Sequence, residues 1–88
     1  MSETEKKKPE TLDEIMLRLV AERGAGKTIC PSEVARTLRS ENWQGLMGEV
    51  CARAVKLARA GQLTIYRKGK PADPDAFKGI YRLGLPQD

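Results

Sequence analysis

Leu12, Ile15, Met16, Leu19 and Val20 recur at i, i+3, i+4, i+7 and i+8, a spacing that gathers them on one side of a helix. Thr11 and Glu14 supply a T-x-x-E capping box and Gly24 a stop, so the pattern predicts a first helix over 11–23. Thr28 to Cys30 reads as a short extended piece. Pro31 then opens a second helix at the position where its missing N–H costs nothing, with Ser32 and Glu33 placed at the positive end of the dipole. Val34, Ala35 and Leu38 would form its buried edge, and it should end near Arg39. Asn42 is the expected N-cap of a third helix over 43–60, whose apolar side gathers Trp43, Leu46, Met47, Val50, Ala54 and Leu57, flanked by Cys51 and Ala58. Gly61 ends it.

Beyond Gly61 the apolar period falls from 3.6 to 2. Leu63 and Ile65 alternate with Thr64 and Tyr66, and Tyr81, Leu83 and Leu85 alternate with Arg82 and Gly84, which predicts two strands. The intervening RKGKPADPDAFKG is rich in Gly, Pro and Lys, and Pro71 and Pro74 lack the donors a ladder needs. It is expected to be one long hairpin connection, with a helical turn between Pro74 and Phe77. Asp73 and Asp75 would cap that turn rather than bind a metal. Residues 1–10 carry a single apolar side chain, Met1, among glutamates and a lysine triplet, and are expected to be a disordered tail before a domain over 11–86.

The stretch GAGKT at 24–28 resembles the end of a phosphate-binding loop of the G-x-x-x-x-G-K-[ST] type. Such a loop leaves a strand and opens a helix, so that helix-terminal N–H groups cradle the phosphates. Here Ala21 stands where the first glycine is required, an amphipathic helix precedes the stretch, and Pro31 follows closely. Gly24 and Gly26 therefore read as a helix cap and a loop, and nucleotide hydrolysis is not expected.

Composition narrows the chemistry. With 88 residues the chain has room for one small core. It has no histidine, and its two cysteines, Cys30 and Cys51, lie far apart and outside any CxxC pair, so neither a zinc site nor a disulfide framework is expected. No apolar run approaches the length of a membrane span, and MSETEKKKPE lacks the apolar stretch of a secretory signal, which places the expected location in the cytoplasm. No acid and base are positioned for catalysis, and neither an enzyme activity, a metal nor a cofactor is expected. The net charge of +4 is uneven. Residues 1–42 balance eight basic groups with eight acids, whereas 43–82 hold eight basic groups against Glu49, Asp73 and Asp75. That asymmetry points to a polyanionic partner.

The order helix, short strand, helix, helix, strand, basic loop, strand is that of a winged helix-turn-helix, an α+β fold of three helices plus a small antiparallel β hairpin, the wing, here residues 67–79. The run ICPSEVAR, a W-x-x-L-M stretch, a helix ending in A-G-Q-L, a K-G-K-P-x-D-P segment and a closing G-I-Y-R-L, carried by Cys30, Pro31, Ser32, Glu33, Trp43, Gly61, Gly69, Pro71, Asp73, Pro74 and Gly79, resemble a family of small bacterial winged-helix proteins catalogued as a domain of unknown function. The resemblance covers about 11–86 and implies the fold but no reaction.

Two functions follow from this reading. In one, the chain is a monomeric DNA-binding accessory domain or small regulator on double-stranded DNA. Gln44, Arg53 and Lys56 would face the groove from the third helix, and Arg67, Lys68, Lys70, Lys78 and Arg82 would reach phosphates from the wing. In the other, Gly45, Gly48, Glu49 and Ala52 form a small-residue face on the third helix that docks a protein partner.

Overall fold

A computed structural model describes residues 10–86. The reading of 1–10 as a disordered tail lies outside these residues except at Glu10, whose carboxylate receives two N–H groups of Arg18 at 2.8 and 2.9 Å. Three helices, α1 (Leu12–Arg23), α2 (Pro31–Leu38) and α3 (Met47–Arg59), combine with four strands, β1 (Thr28–Ile29), β2 (Thr64–Arg67), β3 (Lys70–Pro71) and β4 (Arg82–Gly84), in an α+β fold. All strand pairs are antiparallel and the sheet order is β1-β4-β2-β3. None of the helices among the described residues is long and apolar enough to cross a membrane.

The caps follow the sequence signals. The Thr11 hydroxyl accepts from the Glu14 N–H at 3.1 Å while the Glu14 carboxylate accepts from the Thr11 N–H at 2.9 Å, a reciprocal box that starts α1. Gly24 ends that helix at φ 95°, with its N–H returned to the Val20 carbonyl. At the end of α3, Gly61 donates to Ala58 and Gln62 donates to Leu57, closing a Schellman turn.

The core forms where α1, α2 and α3 meet one face of the sheet. Leu83 of β4 sits between Ile29 of β1 and Ile65 of β2 in register, and all three are buried. They pack into one cluster with Ile15, Met16 and Val20 of α1, Val34 of α2, and Val50 and Leu57 of α3. Because side chains alternate across a strand, the register that sends Leu83, Ile29 and Ile65 inward sends Arg82, Thr28, Thr64 and Tyr66 to the opposite face. Of the basic strand residues Arg82 lies on that outer face, whereas Arg67 and its partner Lys70 have the parity of Ile65 and extend beyond the core.

Four expectations are corrected. Asn42 is in the left-handed region at φ 59° and its side chain caps nothing; a 3-10 turn over Trp43–Leu46 intervenes, and α3 begins only at Met47. Glycine at 45 and 48 weakens α-helical preference in that stretch, and Trp43 packs against the core from its edge with the Arg36 guanidinium 5.2 Å above its ring. Leu38, expected to be buried, is 39% exposed, because it is the last residue of α2 and lies along a groove with Leu12 and Leu46.

The third correction concerns the long connection. Lys68 and Gly69 form a tight turn and β3 returns along β2, so the sheet is four-stranded rather than a single hairpin. Pro71 is compatible with this because it faces Tyr66 at a position flanked by the pairs Arg67 with Lys70 and Ile65 with Ala72; the Ala72 N–H donates to Ile65 O at 2.8 Å and the Pro71 nitrogen faces away from β2. The fourth concerns Asp75, expected with Asp73 to cap the turn between Pro74 and Phe77. The chain there makes a single turn at Pro74–Ala76, with Asp73 accepting from the Asp75 N–H. Asp75 instead bridges to Arg59 at the end of α3.

Candidate functional site

The outer face of the sheet is built by the short strands and their turns. The β2–β3 turn has φ 54° at Lys68 and 81° at Gly69, the pair of left-handed residues that a two-residue hairpin of type I′ requires. Asparagine or glycine ordinarily fills the first of these positions; a lysine there holds a conformation that costs roughly 1 kcal/mol. The turn thrusts Lys68 and Lys70 into solvent on either side of Gly69.

Arg82 is held differently. Its Nε donates to the Thr28 hydroxyl at 2.6 Å and its Nη2 to the Thr28 carbonyl at 3.2 Å, which fixes the guanidinium plane over β1. Arg23 reaches the same carbonyl at 2.9 Å and pairs with Glu33 at 2.7 Å. Glu33 in turn accepts from the Cys30 N–H at 3.0 Å, closing the start of α2. The Cys30 thiol, hydrogen-bonded to the Ser32 hydroxyl at 3.0 Å, is partly buried. Burial works to raise its pKa, but the Ser32 hydroxyl and backbone together with the Arg82 charge outweigh burial, and the net displacement is downward. Tyr81 lies beside it, lining the same groove. Burial, reinforced by the neighbouring Cys51 and Cys30 thiols, pushes the Tyr81 phenol above its ordinary value.

Between the 24–28 loop and the β2–β3 turn lies a cleft of about 310 Å³ lined by Gly26, Lys27, Thr28, Tyr66, Lys68, Gly69 and Arg82. Its floor depends on Gly84. A Cβ at that position would stand 2.9 Å from Tyr66 Cε2 and 3.2 Å from the Lys27 carbonyl, so only glycine lets the tyrosine ring lie over β4.

The basic residues expected at a nucleic-acid surface thus divide by what they touch. Lys68 and Arg82 share the cleft, and Lys70 follows on β3. Arg67 donates to the Ile80 carbonyl at 2.9 Å and its head group lies over Gly79, so it straps the returning loop to β2. Arg53 sits between Asp13 at 3.8 Å and Glu49 at 3.6 Å. Gln44 projects from the 3-10 turn rather than from α3, and Lys56 is exposed on α3. Gly45, Gly48, Glu49 and Ala52 are exposed as a group, and a Cβ at either glycine would meet nothing within 4 Å. Among the described residues no three potential metal-ligating side chains cluster.

Lys27 is a further functional candidate, beyond the residues that the sequence pattern points to. GAGKT follows a helix and enters a strand, the reverse of the strand-to-helix order of a nucleotide-binding loop. Its lysine nevertheless reaches a basic cleft, through β1 pairing with β4. A lysine one residue ahead of an edge strand, beside a K-G turn in the same sheet, is the signal that could have found it.

Residues 9–86 match the family described as Protein of unknown function (DUF3253). The chain belongs to that family. No curated protein matches it. In this DUF3253 domain the residues that carry the resemblance are largely builders of the fold. Pro31 and Glu33 start α2, Gly61 closes α3, Gly69 makes the hairpin turn, Asp73 caps the next turn and Gly79 accommodates Arg67 at φ 88°.

Proposed function

We propose that this DUF3253 domain is a winged helix that binds double-stranded DNA mainly through its phosphates, with the β2–β3 hairpin as the wing. The observation that supports this most strongly is the set Lys68, Lys70 and Lys78: all exposed, none in an ion pair among the described residues, and carried on one hairpin and the loop strapped to it. Arg67 beside them is committed to the fold, whereas these lysines are left to solvent. Lysines of this kind attract and position a polyanion without reading its sequence.

The helix side offers less for base reading. Arg53 is drawn toward two carboxylates, and Glu49 would repel phosphate. The domain is therefore proposed to act as an accessory or regulatory element with limited sequence preference. Titration of labelled random duplexes by fluorescence anisotropy tests this. A dissociation constant of roughly 10⁻⁴ to 10⁻⁶ M near physiological salt is expected, with little difference between sequences. The rival reading, docking of a protein through Gly45, Gly48, Glu49 and Ala52, forecasts no DNA affinity even at low salt, and that result would reject the DNA reading.

A further inference from the structure

The cleft between the 24–28 loop and the hairpin turn has a composition that a solvated basic surface does not require. Three cations arrive from three separate parts of the chain: Lys27 from the loop before β1, Lys68 from the β2–β3 turn and Arg82 from β4. Among the described residues, none of those lining it is acidic. Like charges gathered in a concave site repel one another unless an anion occupies it, and low-dielectric walls strengthen its attraction for that anion.

The donors are also organised. Arg82 is pinned by the two hydrogen bonds it donates to Thr28, so its planar fork is oriented before any ligand arrives. Lys68 holds a left-handed backbone that glycine or asparagine would adopt more easily, an unfavourable choice that keeps a cation at the rim. Gly84 lets the Tyr66 ring close the floor. The volume, about 310 Å³, exceeds what a carboxylate needs and accommodates a phosphate with an attached sugar.

We infer that this cleft is a phosphate-binding site in which Lys27, Lys68 and Arg82 hold one phosphate group, as a monoester or as a link of a nucleic-acid backbone. Where the ligand is a polymer, the inference rests on the DNA reading above; for a small phosphate it stands without that reading. Lys27 thereby joins a phosphate site after all, by a geometry unrelated to a nucleotide-hydrolysing loop.

The test is an NMR titration of the full chain with inorganic phosphate at constant ionic strength, chloride being the compensating anion. Saturable shifts are expected at the amides of Gly26, Lys27 and Gly69. Lys27→Met should weaken that binding at least about tenfold, the scale of one lost charge-assisted hydrogen bond, while Arg39→Met, which removes the same charge outside the cleft, leaves it within about twofold, the change expected from long-range charge alone under salt screening. Retained dispersion of the remaining amide signals confirms that both variants are folded. Two further arms compare a short oligothymidylate with and without a 5′-phosphate. A gain confined to the phosphorylated strand assigns a terminal monoester, and equal binding assigns the backbone diester; each supports the site. Shifts that do not saturate, or that fall equally in Lys27→Met and Arg39→Met, overturn it. Phosphate binding without duplex binding would reject the DNA proposal and keep the cleft; duplex binding that is indifferent to Lys27→Met and unaccompanied by phosphate shifts would do the reverse.

Discussion

Lys68→Asn should stabilise the protein and weaken its binding to DNA. Lys68 stands at φ 54°, its side chain is exposed, and it has no hydrogen bond or ion pair among the described residues, so the substitution removes no folded-state contact. Asparagine is enriched several-fold over other non-glycine residues at positive φ. A factor of about 3–5, converted at about 1.4 kcal/mol per tenfold, is worth about 0.6–1 kcal/mol in favour of the folded hairpin. For a domain of this size such a gain raises Tm by roughly 2–8 °C. The same change removes one of three lysines proposed to neutralise phosphates, which should flatten the slope of log affinity against log salt by about 0.9. Thermal unfolding followed by circular dichroism reads the first effect and anisotropy titration at several salt concentrations the second. A variant that is less stable, or one whose salt dependence is unchanged, would show that Lys68 is kept for a reason within the fold and not for a ligand.

Three other substitutions or titrations probe the framework. Leu83→Ala deletes a fully buried side chain between Ile29 and Ile65 and should cost about 2–5 kcal/mol in chemical denaturation, enough to unfold much of a small domain; a loss under about 1 kcal/mol would contradict the register. Gly84→Ala forces the Tyr66 ring or the Lys27 carbonyl to move and should cost about 1–3 kcal/mol while shifting the Tyr66 ring resonances; unchanged resonances would show that the ring does not lie over β4. Because the Cys30 thiol titrates below its ordinary value and the thiolate is the reactive form, its alkylation rate should rise at lower pH than that of free cysteine, and Arg82→Ala should move the profile back upward; a profile insensitive to Arg82 would remove the arginine from the thiol's surroundings.

What could be read from the sequence was whatever depends on near neighbours. Thr11 and Glu14, Pro31 and Glu33, and the stops at Gly24 and Gly61 act over a few residues, and the helices they delimit stand where the pattern placed them, apart from the start of α3. The polar side chain of Asn42 suits both an N-cap and a left-handed turn, and the fold uses it as the turn, with Trp43 beside it packed against the core. Pro71, lacking a donor, reads in sequence as an interruption of pairing, yet the pairing phase set by the Lys68–Gly69 turn gives it a position that needs no donor toward β2. The division of the arginines and lysines was beyond reach. Arg67 meets Ile80, Arg82 meets Thr28 and Arg53 meets Asp13 only once the sheet and helices are assembled, and the convergence of Lys27 with Lys68 and Arg82 follows from β4 lying between β1 and β2.

The most direct test of the proposed function is the salt dependence of binding to a random DNA duplex, measured on the natural chain and on Lys68→Ala/Lys70→Ala. Three phosphate contacts by Lys68, Lys70 and Lys78 predict a slope of log affinity against log salt of at least about −2.7 in magnitude, flattened by about 1.8 in the double variant with equal weakening on every duplex. Absence of binding at 50 mM salt, or a slope that the double variant leaves unchanged, would contradict the account.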